Sequence, residues 1–158
     1  MRKTIIPGEA RKTRSGLDQG WLELEGKVRI ELTSEDAEHP IESALLAQTG
    51  SGWRAQEPGK QTIRLLFDEP QRIRRIQLLF EERERARTQE FVLRGSRGDD
   101  GSAQEILRQQ YNFSPPDSSR ELEDYSVELD GLTMLELSII PDISGGETRA
   151  SLARLRLG

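Results

Sequence analysis

Apolar residues in this chain recur at every second position over short stretches. Val28, Ile30 and Leu32 alternate with Arg29, Glu31 and Thr33, and Ile63, Leu65 and Phe67 alternate with Thr62, Arg64 and Leu66. Ile76, Leu78 and Phe80 mark one face of residues 72–80, and the same rhythm returns at Tyr125, Val127, Leu129 and at Leu135, Leu137, Ile139. Period two with one polar face is the signature of a half-buried antiparallel strand. Residues 91–95 resume a strand, and Leu152, Leu155 and Leu157 form a last apolar segment. Turn formers separate these runs: an acidic stretch at residues 34–40, Pro70, the Gly/Asp cluster at residues 95–101, residues 114–120, Asp130-Gly131 and the Gly-rich residues 142–148. Pro70 lacks an N–H and restrains the residue before it, so residues 61–67 and 72–80 read as the two arms of a hairpin. Asp130-Gly131 reads in the same way as a turn between two strands. Residues 41–48 have room for one or two helical turns, too few to stand alone. Ile106 and Leu107 are adjacent, which suits a short strand covered on both faces. The run Glu-Glu-Arg-Glu-Arg-Ala-Arg at residues 81–87 has no apolar face and reads as a solvated connection. About eight short strands with turns at regular spacing predict an all-β sandwich or barrel.

Composition narrows the setting. At 158 residues the chain has the size of one domain with one core. Residues 20–158 are read as that domain, and residues 1–19, with Arg2, Lys3, Arg11, Lys12 and Arg14 around Pro7-Gly8, as a flexible basic tail. Charged residues make up 32% and apolar ones 34%, so the core is economical and the surface dense in charge. A net charge of −5 argues against nucleic acid or an anionic membrane as the main partner, since both need concentrated positive charge. Arginine far outnumbers lysine, which suits planar contacts with carboxylates or phosphates but is first of all a compositional bias. Without cysteine, disulfides, thiolate metal sites and thiol nucleophiles are excluded. Ile5 and Ile6 do not make an apolar leader, and no stretch has the length of a membrane span, so the expectation is a soluble cytoplasmic protein.

Few residues carry a chemical signature. His39 is the lone histidine, in a turn with no nucleophile motif beside it, and reads as structural or exposed. The carboxylate pairs Asp99-Asp100 and Glu81-Glu82 lie in stretches that look solvated, whereas a general acid needs burial to tune its pKa. Arg97-Gly98-Asp99 and Asn112-Phe113-Ser114 match short recognition motifs but have the composition their turns require anyway. No phosphate-cradling Gly-rich motif occurs. Trp53, and Tyr111 with Phe113, are candidate platforms for stacking on a sugar ring, with Trp53 also a natural core residue. Trp21 is a candidate cap for the far end of the sandwich.

Ala44-Leu45, then Trp53, then residues 63–68 and 73–78 follow the order of a loop, a tryptophan and two strands that resembles the discoidin, or coagulation factor 5/8 type C, domain of the galactose-binding-like superfamily, which includes bacterial carbohydrate-binding modules. The likeness runs from about Gly20 to Gly158, through residues 91–101, 135–140 and 152–157. It implies a galactose-binding-like jelly-roll β-sandwich and a non-catalytic module that binds carbohydrate through loops at one end. Two acidic positions of the family's loop are occupied here by Leu46 and Gln48, which disfavours the calcium site the family often carries, since calcium needs hard charged oxygens; no cofactor is expected. The positions that contact sugar in the family fall on Glu42, Arg54 and Arg83, with Trp53 shaping the pocket. Arg54 stands where an imidazole is usual, so an anionic small ligand is an alternative to a neutral sugar. A protein-interaction module on the same scaffold, using residues 81–87, is the alternative function.

Overall fold

A computed structural model, which describes residues 20–46, 52–98 and 102–158, has the chain order β1 (Val28–Leu32), α1 (Glu42–Leu45), β2 (Trp53–Pro58), β3 (Gln61–Glu81), β4 (Arg87–Arg97), β5 (Gln104–Phe113), β6 (Arg120–Ile140), β7 (Arg149–Leu152) and β8 (Arg154–Leu157). The tail expected over residues 1–19 lies outside the described residues, as do Gln48, Asp99 and Asp100. All strand pairs are antiparallel, so the expected all-β sandwich is what forms. Among the described residues no helix is long and apolar enough to cross a membrane.

Two strands of 21 residues each organise the fold. The first part of β3 pairs with β1 on one side and with the end of β6 on the other, and β6 continues to β4 and then β5. The second part of β3 pairs with the start of β6 and with β8. The β3–β6 ribbon therefore bends from one layer of the sandwich into the other. Between the layers the alternating residues meet: Ile63, Leu65, Ile76, Leu78, Phe91, Leu93, Leu135, Leu137 and Ile139 are all buried in one cluster. The Phe80 and Phe91 rings join the layers with centroids 5.2 Å apart.

Four expectations are corrected. Residues 61–67 and 72–80 are not a hairpin, because β3 runs straight through Pro70. Pairing with β6 jumps from Leu66↔Met134 to Gln71↔Leu132, so Pro70 sits in a bulge where β6 asks for no N–H, and a bulge bends the strand as a turn would not. Asp130-Gly131 is likewise a bulge inside β6, with Gly131 at φ +69°. β5 is not covered on both faces: it is a sheet edge bonded to β4 alone and is largely exposed. Ile106 and Leu107 both pack on the core because the register shifts beside them, from Leu93↔Leu107 to Arg94↔Glu105. Finally, residues 81–87 are not solvated throughout, since the Arg87 side chain is only 1% exposed and is paired with Glu82.

Candidate functional site

The site begins with a two-stranded ribbon off the main sheet, β2 paired with β7 as Trp53↔Leu152 and Arg54↔Ser151. Alternation divides it. Trp53, Ala55, Ala150 and Leu152 are buried, which leaves Arg54, Ser151 and Arg149 on the opposite face. The turn at residues 36–39 is laced to the start of β2 by two backbone bonds: Asp36 N–H donates to Arg54 O at 2.8 Å, and Arg54 N–H to His39 O at 3.1 Å. Trp53 Nε1–H donates to Ser34 O at 3.1 Å, so the indole is both core and anchor of that turn. At the other end of the ribbon, Ala153 N–H donates to Leu79 O at 2.9 Å, which pins the β7–β8 junction to β3.

Gly52 makes this arrangement possible. Its φ is +75°, and a Cβ there would lie 2.7 Å from Leu152 O and 2.8 Å from Ala153 Cα. Both atoms are backbone and cannot swing aside. Gly52→Ala is therefore expected to lower stability by about 2–4 kcal/mol, combining the left-handed backbone cost with overpacking. Chemical denaturation would read this as a lower midpoint with an unchanged slope; a midpoint within error of wild type would contradict it.

The opposite wall is the connection from β3 to β4. Glu82 Oε1 accepts from Arg87 Nε at 2.6 Å, and its Oε2 accepts from the backbone N–H of Glu84 at 2.8 Å and of Arg85 at 3.1 Å. Arg87 Nη1 also donates to Gln89 Oε1 at 3.1 Å and Pro141 O at 2.6 Å, and the guanidinium lies 4.8 Å above the Phe113 ring. Burial alone would raise the Glu82 pKa, but the hydrogen bonds from Arg87 and the two backbone groups outweigh it and hold the carboxyl below its usual range. The connection is thus fixed from inside while Arg83 and Glu84 face out.

Between these walls lies a concavity of about 360 Å³. The turn contributes His39, the ribbon Arg54, Arg149 and Ser151, and the connection Glu81, Arg83 and Glu84, with Trp53 at its base. Of the residues read from the sequence, Trp53, Arg54 and Arg83 come together here. Glu42 does not: it is exposed on the first turn of α1 and takes no part in the lining. Trp53 is 1% exposed, so it shapes the base and offers no open face for stacking. Phe113 is corrected from a stacking platform to a core residue, 1% exposed beneath Arg87, with Tyr111 against it edge-on at 4.9 Å. Arg149 and Ser151 are additions that the sequence pattern did not single out, and His39, read from the sequence as structural or exposed, also lines the concavity. His39 Nδ1 is 3.6 Å from Asp36 Oδ2. A hydrogen bond from the Glu38 N–H, with the nearby His39 side chain and the charge of Arg149, holds the Asp36 carboxyl below its usual range. Among the described residues no three His, Cys, Asp or Glu side chains gather into a metal site.

Neither a protein-family model nor a curated protein matches the sequence. Solved structures do match the fold. A family 32 carbohydrate-binding module from Clostridium perfringens NanJ, solved in complex with galactose, superposes with a TM-score of 0.60 at 12% identity over 85% of this chain and 95% of that one. The C-terminal domain of a chitobiase from Bacteroides fragilis gives 0.62 at 18% identity, covering 87% and 96%. XRCC1, solved bound to the catalytic domain of DNA polymerase β, gives 0.56 at 15% identity, covering 84% and 97%. At such identities the likeness establishes the fold, a galactose-binding-like jelly roll, and the chemistry rests on this chain's own residues.

Proposed function

We propose that the chain is a non-catalytic saccharide-binding module whose ligand occupies the concavity between the β2–β7 ribbon and the β3–β4 connection. One observation carries the reading: on a fold shared with carbohydrate-binding modules, Arg54 and Arg83, far apart in sequence, face one pocket together with His39 and Ser151. Such a lining offers donors from several directions to a ring of hydroxyl groups. With Trp53 buried, the ligand is held by hydrogen bonds and charge, each neutral bond contributing about 0.5–1.5 kcal/mol net, so affinity for a single sugar is modest. Binding rather than hydrolysis is favoured because Glu82, the most buried carboxylate of the lining, is held low by Arg87, the reverse of what a general acid needs near neutral pH.

Glycan-array screening followed by calorimetry on the best ligand tests this. Arg54→Ala and Arg83→Ala are each expected to weaken binding about tenfold, the scale of one charge-assisted hydrogen bond, without changing the melting temperature. No saccharide bound at millimolar concentration, or variants that bind like wild type, would overturn it.

A second reading has one observation of its own, that a chain of this fold is found bound to a protein, the polymerase β catalytic domain. On this chain the exposed part of the β3–β4 connection, around Arg83 and Glu84, would then be the contact surface. A partner whose capture is insensitive to Arg83→Glu would reject that surface.

A further inference from the structure

We infer that the ligand is an acidic sugar, its carboxylate held by Arg54 and Arg149 on the face of the β2–β7 ribbon and its hydroxyl groups turned toward Ser151 and the opposite wall. The inference rests on the saccharide-binding reading and adds the charge class of the ligand and a residue, Arg149, that the sequence pattern did not single out.

The two arginines share one face. Buried Trp53 and Ala55 in β2, and buried Ala150 and Leu152 in β7, force Arg54, Arg149 and Ser151 to the other side, and all three line the concavity. Among the described residues neither guanidinium has a carboxylate within ion-pair distance, unlike Arg64 with Glu136, Arg75 with Asp124 and Arg108 with Glu90 and Glu105 on the same surface. The acids that line the pocket are committed elsewhere or stand on the far wall. Glu82 is saturated by Arg87 and two backbone N–H groups, and Glu81 lies 3.7 Å from Arg83. Glu84 is exposed on the connection. Asp36 feels the charge of Arg149, but its carboxylate already accepts from Glu38 N–H at 3.0 Å and faces His39. Two guanidiniums on one wall with no carboxylate between them leave donors free for an anion in the concavity. Their planar forks match the two coplanar oxygens of a carboxylate, while a neutral sugar satisfies them less well. The Ser151 hydroxyl beside Arg54 adds a group that both donates and accepts, suited to a sugar hydroxyl.

The test compares oligo-hexuronates (galacturonate, mannuronate, guluronate and glucuronate) with their methyl esters, which keep the sugar and remove the charge, and with neutral galacto-oligosaccharides, a sulfated galactan and poly-glutamate. The full chain is titrated at low and high salt. The expected result is binding of at least one hexuronate about tenfold or more tighter than its ester, weakened by salt as a partly exposed ion contact must be. In Arg54→Gln and in Arg149→Gln the acid-over-ester ratio is expected to collapse toward one, with melting temperature unchanged because both positions are exposed. Arg149→Lys keeps the charge without the fork and is expected to restore only part of the ratio. Equal affinity for acid and ester, or binding of the neutral oligosaccharides alone, would overturn the acidic-sugar inference and leave the saccharide reading standing. Preference for the sulfated galactan over every hexuronate, or equal binding of poly-glutamate, would overturn the carboxylate–sugar assignment. Failure to bind any saccharide would overturn both.

Discussion

Arg87→Ala is expected to destabilise the protein by about 3–5 kcal/mol, the usual penalty for removing one partner of a buried ion pair and stranding the other. The Arg87 side chain is 1% exposed and that of Glu82 13%. Their bond is 2.6 Å, and the same guanidinium serves Gln89, Pro141 O and the Phe113 ring. In the double variant Arg87→Ala/Glu82→Gln neither position carries an unpaired charge, so part of the loss is expected to return; denaturant midpoints of wild type, the two single variants and the double variant measure it. Full additivity of the two single changes would show that the pair is not coupled. The pH dependence has a definite sign. Because the Glu82 carboxyl titrates below its ordinary value in the folded protein, its contribution is present above the unfolded carboxylate pKa of about 4.3 and is lost as pH falls through the lower folded value. Acid unfolding of Glu82→Gln should accordingly be flatter than wild type in that window. The loss reaches the pocket as well, since Glu82 Oε2 holds the backbone of Glu84 and Arg85, and freeing that loop leaves Arg83 to be ordered at the expense of binding.

Trp53→Ala is expected to be comparably severe, about 3–5 kcal/mol for emptying a fully buried aromatic site, or a fall in melting temperature of roughly 6–20 °C for a chain of this length. The indole is 1% exposed and bonds Ser34 O, so the change both opens a cavity and unties the turn that carries His39. Trp53→Phe keeps most of the ring and loses the bond, and a drop of about 1–3 kcal/mol is expected. Thermal and urea unfolding distinguish this from a stacking role: a tryptophan used only as a sugar platform would lose binding and leave the melting temperature unchanged.

The layers of this fold were legible because burial follows local alternation. Ile63, Leu65, Leu135, Leu137 and Ile139 are all in the core, as period two required. Pro70 and Gly131 were misread because a bulge and a tight turn recruit the same residues, one lacking an N–H and one tolerating positive φ, and only pairing with a partner strand decides between them. The buried Arg87 was invisible within a run of charges, since the groups that satisfy it, Phe113 in β5 and Pro141 O just after β6, are distant in sequence. The same distance effect divides the pocket. Trp53 and Arg54 were readable from their place after a small-residue loop, whereas Arg149 and Ser151 reach it through a pairing with β2 from near the opposite end of the chain. The available signal was modest: arginine and serine on the polar face of a short alternating strand. Glu42 was near the loop in sequence but sits on the exposed side of α1, because one helical turn carries a residue away from a face that its neighbours Ala44 and Leu45 bury.

A ribbon shared by both layers has a consequence for how the protein comes apart. Since β3 and β6 pair along nearly their whole length and belong to each layer in turn, no layer-sized unit has its own boundary at which to open. Exposing one layer means pulling the same two strands from the other, so local fraying is confined to pieces outside that ribbon, such as the exposed edge strand β5. The binding walls are therefore mounted partly on the β3–β6 ribbon, through Leu79 and Glu81, and partly on the separate two-stranded β2–β7 ribbon. A ligand that bridges the two would couple the opening of the β2–β7 ribbon to the global unfolding of the domain.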